Sequence, residues 1–314
     1  MQETNKKVLV VTGPTATGKT ALSVLLAQRL GGEIISADSM QVYRGMDIGT
    51  AKVTPQEMCG VPHHLIDVAE PSENYSVARW VESAAAAAED IFARGLVPII
   101  AGGTNLYIDS LLSGRDFAEN EGDGALRAEL NAEYDRIGGE AFRALLREVD
   151  PERAEKLHPG DRKRLVRALE VFRLTGQTIT QHDAHTKLRP PRWASLRVGL
   201  RYADRDALYA RINRRVEEMV AAGLFDEVRN LLSGGLSPDC TAMQAIGYKE
   251  CVEHFQGRCS ADEAVDAICM NSRRYAKRQL TWLRRDEALH WIAWEGAPDV
   301  AAAADEIAAR WHGA

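Results

Sequence analysis

The chain has 314 residues, 45% of them hydrophobic, so it can bury one large core or a core with a smaller appended unit. Its 39 Lys and Arg against 45 Asp and Glu give a net charge of −6, which argues against indiscriminate nucleic-acid binding but does not show where the basic residues cluster. No apolar run approaches the roughly 20 residues of a membrane span, and no signal-peptide segment follows the polar start MQETNKK, so we expect a cytoplasmic protein without membrane contact.

The N-terminal part of the chain alternates between β-branched runs and helical patterns. Residues 8–12 predict a buried parallel strand, 19–30 the helix that follows it, and 33–38 a second short strand. The segment PSENYSV supplies a cap for a helix over 78–93, and 97–104 predicts a third strand that ends in a glycine turn. This order predicts an α/β fold, with a doubly wound parallel sheet at its core.

The pattern changes at about residue 114. From there to about residue 191 the β-branched runs stop and charged helical patterns take over, which predicts a helical insertion domain over 114–191. Residues 195–202 then predict a strand that returns the chain to the first sheet, followed by helices to the C-terminus. We therefore predict a catalytic core made of residues 1–113 and 192–314.

The run GPTATGKT fits the phosphate-loop pattern G-x-x-x-x-G-K-[ST] and lies between a predicted strand and a predicted helix. In such a loop the backbone N–H groups cradle anionic oxygens, the lysine neutralises them, and the hydroxyl after it can bind Mg²⁺. A chance match in a glycine-rich turn is the alternative, and the flanking elements argue against it. The residues predicted to bind phosphate are Gly13, Pro14, Thr15, Ala16, Thr17, Gly18, Lys19 and Thr20, with Thr20 as the metal ligand.

Asp38 follows the second predicted strand, at the edge of the sheet where open α/β folds bind ligands. A carboxylate there can be a metal ligand, a general base or a cap for the next turn, and its position alone leaves these three alternatives open. The third strand ends in AGGT rather than in the acidic residue that holds Mg²⁺ in many nucleotide hydrolases. Motor-like ATPase chemistry is therefore disfavoured.

Arg211 and Arg215 lie four residues apart in a helical pattern whose apolar stripe is formed by other positions. Two guanidinium groups on one face can clamp a pyrophosphate. Alternatively, they pair with Glu217 or Glu218 on the surface. The spacing does not separate these alternatives.

Two basic clusters stand out in this acidic chain. RRYAKRQLTWLRR, at 273–285, contains no acidic residue and interleaves aromatic and basic positions, a composition suited to a phosphate backbone. RKRLVR, at 162–167, lies in the predicted insertion. A solvated helix face is the common alternative for one basic run. Two such runs in a chain of negative net charge favour nucleic-acid contact.

The histidines and cysteines indicate no metal or disulfide site. The pair His63-His64 is predicted to lie in a loop, and His182 and His185 on the surface of the insertion, because no cysteine or acidic cluster accompanies them in metal-ligand order. The five cysteines are odd in number and form no C-x-x-C pair, so we expect them to be reduced.

Several motifs together closely resemble the tRNA dimethylallyltransferases. They are GPTATGKT, DSMQVYRGMDIGTAK (38–52), PHHLID (62–67), AGGTNLY (101–107), DRKRLVRALEV (161–171), AIGYKE (245–250) and AKRQLTWLR (276–284). The resemblance covers about residues 8–292 and is specific, because nucleotide kinases share only the first motif.

The resemblance implies that the loop holds the pyrophosphate of dimethylallyl pyrophosphate, with Mg²⁺, rather than the phosphates of ATP. It implies Asp38 as the general base, with Lys19, Thr20 and Arg215 stabilising the leaving group, and N6 of the adenosine 3′-adjacent to the anticodon as the nucleophile. The matching tRNA-contact positions are Asp38, Ser39, Met40, Gln41, Thr104, Lys163, Arg164, Leu165, Val166, Arg167, Gln244, Gly247, Tyr248, Lys249, Lys277, Arg278, Gln279, Thr281, Trp282 and Arg284.

Three other functions fit part of the pattern. A small-molecule or nucleotide kinase would share the loop but should lack the basic-aromatic helix near the C-terminus. A prenyltransferase acting on free adenine nucleotides would need no helical insertion. A tRNA-binding protein without activity would leave the loop, Asp38 and Arg215 unexplained. The sequence shows no sign of an oligomer, and we expect a monomer.

Overall fold

The structure is a computed structural model that describes residues 6–114 and 124–313, without the side chain of Lys187. The chain forms two compact units: Met1–Leu111 together with Trp193–Ala314, called the core unit here, and Leu112–Arg192, called the insertion unit. The predicted boundaries at 113/114 and 191/192 lie within two residues of these divisions. Residues 115–123 of the predicted insertion lie outside the described residues.

The strands of the core unit are β1 (Lys7–Thr12), β2 (Gly32–Ser36), β3 (His63–His64), β4 (Val97–Gly102), β5 (Ala194–Tyr202) and β6 (His290–Trp294). All neighbouring strands pair in parallel, in the order β3-β2-β4-β1-β5-β6. β1 lies between β4 and β5, with Leu9 opposite Ile99 on one side and Leu196 on the other. Because helices cover both faces of such a sheet, its central strands are continuous apolar runs.

The helices before the insertion are α1 (Lys19–Leu30), α2 (Pro55–Met58), α3 (Val77–Ala93) and α4 (Asn105–Leu112). Those of the insertion are α5 (Gly124–Ile137), α6 (Gly139–Val149), α7 (Pro151–Lys156), α8 (Arg162–Thr175) and α9 (Ile179–Lys187). The remaining α-helices are α10 (Arg205–Ala221), α11 (Leu224–Ser233), α12 (Tyr248–Phe255), α13 (Ala261–Leu283) and α14 (Val300–Gly313), with a 3₁₀ turn at Ala242–Gln244.

The predicted doubly wound core is confirmed, and the predicted elements correspond closely to those observed. The cap predicted before α3 is Ser76, whose side chain accepts a hydrogen bond from the Arg79 N–H. The loop prediction for His63-His64 is wrong, because these two residues form the edge strand β3 beside Ile34 and Ile35. The strand predicted third is consequently fourth along the chain.

The insertion unit has a small core of its own. Leu130, Phe142, Leu146 and Leu165 are fully buried in it. Its one fully buried carboxylate among the described residues, that of Glu170, accepts hydrogen bonds from Arg127 at 3.0 Å and from Arg167 at 2.8 Å. A buried charge is tolerated only when it is paired in this way. None of the described helices is both long and apolar enough to cross a membrane.

Candidate active site

The phosphate loop follows β1 and ends where α1 begins at Lys19, so the first turn of the helix points its free N–H groups into the loop. Its backbone approaches β5 closely: a Cβ on Gly13 would lie 2.7 Å from the Leu200 carbonyl oxygen. The Pro14 carbonyl accepts hydrogen bonds from the Thr17 hydroxyl and from Lys19 Nζ, both at 2.8 Å. The loop is thus held in a compact turn that an anion can enter.

Two arginines of α10 hold the same loop. Arg211 Nε donates to the Ala16 carbonyl at 3.2 Å, and Arg215 Nη1 donates to the Thr15 hydroxyl at 3.2 Å. The arginine that pairs with Glu218 is Arg214, at 3.6 Å. Of the two alternatives left by the spacing, the structure therefore places Arg211 and Arg215 at the phosphate loop.

The cations Lys19 and Arg215 both lie at the phosphate loop. Burial, together with repulsion from Arg215, lowers the pKa of Lys19 to about 8, and the negative charge of Asp38 acts in the opposite direction. Burial also lowers the pKa of Arg215, again against the attraction of Asp38. Lys19 and Arg215 have both lost hydration, and both are near the charge of Asp38. A bound polyanion would stabilise the two cations in place of the lost water.

Asp38 lies just beyond β2 and caps the turn that follows. Its Oδ1 accepts hydrogen bonds from the N–H groups of Met40 at 2.9 Å and Gln41 at 3.3 Å. The N–H of Ser39 donates to the Thr104 hydroxyl at 3.0 Å, which ties this turn to the end of β4. The capping role is therefore observed. One carboxylate oxygen caps the turn, which leaves Oδ2 as the oxygen for a role as base or metal ligand.

A buried lysine fixes the loop that continues from Asp38. Lys52 Nζ donates to the Tyr43 carbonyl at 2.7 Å, to Asp47 at 2.7 Å and to Asp67 at 2.5 Å, and its side chain is only 6% exposed. Three acceptors satisfy all three ammonium protons. Lys52, the last residue of the motif DSMQVYRGMDIGTAK, thus bonds back to Tyr43 and Asp47 within the same motif.

Glu227 of α11 is a second anchor of this loop, one that none of the sequence motifs contains. Its carboxylate accepts hydrogen bonds from the N–H groups of Asp47 at 2.8 Å, Ile48 at 2.7 Å and Gly49 at 3.1 Å, and from the Tyr248 hydroxyl at 2.6 Å. Its position in LFDEVRNLL is typical of a surface acid on an amphipathic helix, so nothing local in the sequence indicates this role.

We expect Glu227→Ala to lower the free energy of unfolding by about 2–3 kcal/mol, because it removes a charged acceptor shared by four donors. Urea denaturation measures this change. Glu218→Ala is the control: its exposed pair with Arg214 should contribute less than about 1 kcal/mol. Equal stability of the two variants would contradict the anchoring role.

Each of the two basic clusters lies on its own unit, and most of its basic side chains are exposed. The exposed side chains on the face predicted from helical spacing are those of Arg274, Arg278 and Thr281 on α13 and of Arg285 just beyond its end. Trp282 is also exposed, and its indole N–H donates to Asp109 at 2.6 Å. The other exposed positions among the predicted tRNA contacts are Lys163, Arg164, Arg167, Gln244, Lys277 and Arg284. Ser39, Met40, Gln41, Thr104 and Lys249 are half-buried.

Five of the predicted tRNA contacts lie inside the protein. Leu165 and Val166 pack in the core of the insertion unit, and Tyr248 is fully buried with its hydroxyl on Glu227. Gly247 is buried and its N–H donates to Glu250 at 2.7 Å. Gln279 is 5% exposed and bonds to two backbone segments. The side chains of Leu165, Val166, Tyr248 and Gln279 are surrounded by protein and offer little surface to an RNA, and the Gly247 N–H is already bonded within the protein.

Comparisons with known proteins identify the family. A family model described as IPP transferase matches residues 41–286, and one described as isopentenyl transferase matches residues 6–71. The tRNA dimethylallyltransferase of Geobacillus thermodenitrificans is 48% identical over 302 residues, which cover 96% of this chain and 95% of the relative. That of Caldanaerobacter subterraneus is 46% identical over 287 residues, 91% of each chain.

Two solved structures are also similar. The full-length tRNA isopentenylpyrophosphate transferase of Bacillus halodurans superposes with a TM-score of 0.73 at 42% identity, covering 98% of this chain and 97% of that one. A eukaryotic dimethylallyltransferase acting on tRNA gives a TM-score of 0.79 at 29% identity, covering 92% of this chain and 74% of that one. The similarity extends over both compact units.

Proposed function

The chain belongs to the tRNA dimethylallyltransferase family, and on that basis we propose that it transfers a dimethylallyl group from dimethylallyl pyrophosphate to N6 of adenosine 37 of tRNA, 3′-adjacent to the anticodon. The products are N6-isopentenyladenosine in the tRNA and pyrophosphate. The observation that carries the proposal is the convergence of Lys19 and Arg215 on the phosphate loop, where the negative charge of Asp38 acts on both cations.

The phosphate loop would bind the leaving group. As N6 attacks C1 of the allyl group, the C1–O bond breaks and its electron pair moves onto the pyrophosphate, so negative charge grows on the oxygens that the loop holds. Lys19 and Arg215, already desolvated, stabilise that charge more strongly than cations in water would. They need no reorganisation during the reaction.

Asp38 would accept the proton that N6 loses. The lone pair of an exocyclic amine is delocalised into the ring, so N6 is a weak nucleophile unless a positioned base takes its proton as the new bond forms. The turn bonded to Oδ1 fixes the direction of the second carboxylate oxygen. The adenine must leave its stack to reach this site, which costs little in a single-stranded anticodon loop.

The donor set also fits Mg²⁺. Thr20 lies in the first turn of α1 next to Lys19 and is exposed, so its hydroxyl would hold the ion beside the bound pyrophosphate. Among the residues that the structure describes, no group of three or more His, Cys, Asp or Glu is placed to hold a metal alone. Mg²⁺ suits such a site because it keeps several waters and binds substrate phosphates. Bound there, it would neutralise charge on the leaving pyrophosphate.

The tRNA would bind through the exposed basic residues of both units, with the anticodon stem-loop presented to Asp38. Family membership makes tRNA the substrate class. The anticodon stem-loop, the prenyl donor, action in the cytoplasm and a monomeric state are further parts of the proposal. The two exposed basic clusters support the contact with tRNA.

Mass spectrometry of unmodified tRNA tests the function directly. The protein is incubated with tRNA, Mg²⁺ and either dimethylallyl pyrophosphate or ATP. A five-carbon gain on the adenosine beside the anticodon, from the prenyl donor without ATP, is the expected result. Prenylation of free AMP, or phosphate transfer from ATP to a small molecule with no change in tRNA, would reopen the alternatives of a nucleotide prenyltransferase and a kinase.

Arg278→Ala should weaken tRNA binding in a salt-dependent way. Its exposed guanidinium lies 5.6 Å from the Tyr275 ring centroid on the basic face of α13, where a phosphate can reach it. Loss of one phosphate contact should reduce the slope of log Kd against log salt by about 0.7–0.9. Filter binding across a salt series measures the slope, and an unchanged slope would contradict a phosphate contact.

A further inference from the structure

The side-chain amide of Gln279 joins two segments of the candidate site. Its Oε1 accepts a hydrogen bond from the Thr15 N–H of the phosphate loop at 3.2 Å, and its Nε2 donates to the Gly103 carbonyl at 2.9 Å. Gly103 belongs to the turn between β4 and α4, which also carries Thr104. Both ends of the amide are therefore used, in the one orientation that satisfies an N–H and a carbonyl at once.

The surrounding packing is built around this amide. A Cβ on Gly103 would lie 2.3 Å from Gln279 Nε2, so the turn has room for the amide only because this residue is glycine. The Gln279 backbone carbonyl accepts from Asn105 Nδ2 at 3.4 Å, and Asn105 in turn accepts from the Thr12 hydroxyl at 3.4 Å. Helix α13 is thus joined to the end of β1, to the loop and to the β4–α4 turn through adjoining groups.

Thr15 is held from two sides as a result. Gln279 of α13 fixes its N–H, and Arg215 of α10 fixes its hydroxyl. Arg215 reaches Thr15 at the position from which it would also meet a pyrophosphate. A shift of the Thr15 backbone would therefore change the position of the phosphate loop relative to the Arg215 guanidinium.

We propose that Gln279 is a positioning residue for the prenyl-donor pyrophosphate rather than a tRNA contact. This inference rests on the proposed function and deepens it. Lys277 and Arg278, the two residues before it, are exposed to solvent, whereas Gln279 points inward. One helix therefore carries the predicted tRNA surface on its outer face and supports the donor site with its inner face.

The test measures binding of inorganic pyrophosphate with Mg²⁺ by calorimetry, and binding of tRNA across a salt series, for Gln279→Leu and Arg278→Ala. Gln279→Leu loses both hydrogen bonds, and a small misplacement of the loop should raise the Kd for pyrophosphate and the KM for the donor about 10- to 100-fold. Its tRNA Kd and salt slope should stay at the wild-type values. Arg278→Ala should show the opposite pattern.

Gln279→Glu repeats the test at the same side-chain size. It keeps an acceptor for the Thr15 N–H but places a carboxylate against the Gly103 carbonyl, so pyrophosphate binding should weaken even where folding is intact. A Gln279 variant that binds pyrophosphate normally, or that loses tRNA affinity with a reduced salt slope, would overturn the proposal. Pyrophosphate binding needs no tRNA turnover, so its result is independent of whether the proposed activity is found.

Discussion

Asp38→Asn is expected to lower kcat for tRNA prenylation by about 10²–10⁴-fold, the range that a positioned general base contributes, with little change in tRNA affinity. The amide oxygen of asparagine can still accept the hydrogen bonds from the Met40 and Gln41 N–H groups, so the turn is preserved. What the variant loses is the negative charge and the capacity to take a proton. Single-turnover kinetics with saturating tRNA and donor measure this loss.

Asp38→Ala separates the two roles of the carboxylate. It removes both the base and the cap, so it should be at least as slow as Asp38→Asn and should also be less stable by about 1 kcal/mol. Near wild-type turnover in Asp38→Asn, with a defect confined to Asp38→Ala, would mean that Asp38 serves only as a cap. A parallel loss of tRNA affinity in both variants would instead make it a binding residue.

Lys19→Met should reduce kcat/KM for the prenyl donor by about 10²–10³-fold, because it removes a preorganised charge from the leaving group and keeps a side chain of similar length. The tRNA Kd should be unchanged. Lys6→Met, just before β1, is the matched control: Lys6 pairs with Glu89 on the surface, away from the loop, and its loss should leave the kinetics unchanged. Equal kinetics in the two variants would exclude the assigned role of Lys19.

The lowered pKa of Lys19 predicts how kcat/KM for the donor depends on pH. The free-enzyme pKa of about 8 means that Lys19 carries its charge below pH 8 and loses it above. The value of kcat/KM for the donor should therefore be level on the acid side of pH 8 and fall about tenfold per pH unit on the alkaline side. The negative charge of bound pyrophosphate would raise the pKa of Lys19, so kcat should fall only at higher pH. If kcat/KM for the donor still falls above pH 8 in Lys19→Met, the titrating group is not Lys19.

The sequence predicted the elements whose patterns are local. β1 and β4 are buried over most of their length and are continuous apolar runs, and α1 begins within the phosphate-loop motif itself. β5 is buried at Val198, Gly199 and Leu200 and carries arginines on either side of them. The strand β3 was missed because two residues at the edge of a sheet carry no such pattern. It exists only because β2 offers them a free edge.

The candidate site also contains residues that local sequence patterns predict and residues that they do not. Lys19, Thr20 and Asp38 were found because the phosphate loop and the motif after β2 are contiguous in sequence. The sequence does not show what Arg211 and Arg215 contact. A spacing of four residues places both on one face of a helix, but it does not indicate which part of the protein packs against that face. Only the packing of α10 against the loop placed them at Thr15 and Ala16.

By itself, the sequence determined the class of fold, the phosphate loop, the two basic clusters and the family, since each depends on residues near one another along the chain. Only the tertiary structure separated the side chains that face solvent from those, such as Gln279 and Tyr248, that hold the site together from inside. It also revealed Glu227 as an anchor. The physical reason is that a hydrogen bond between distant segments depends on where the fold brings them, and neither partner carries a local signal of the other.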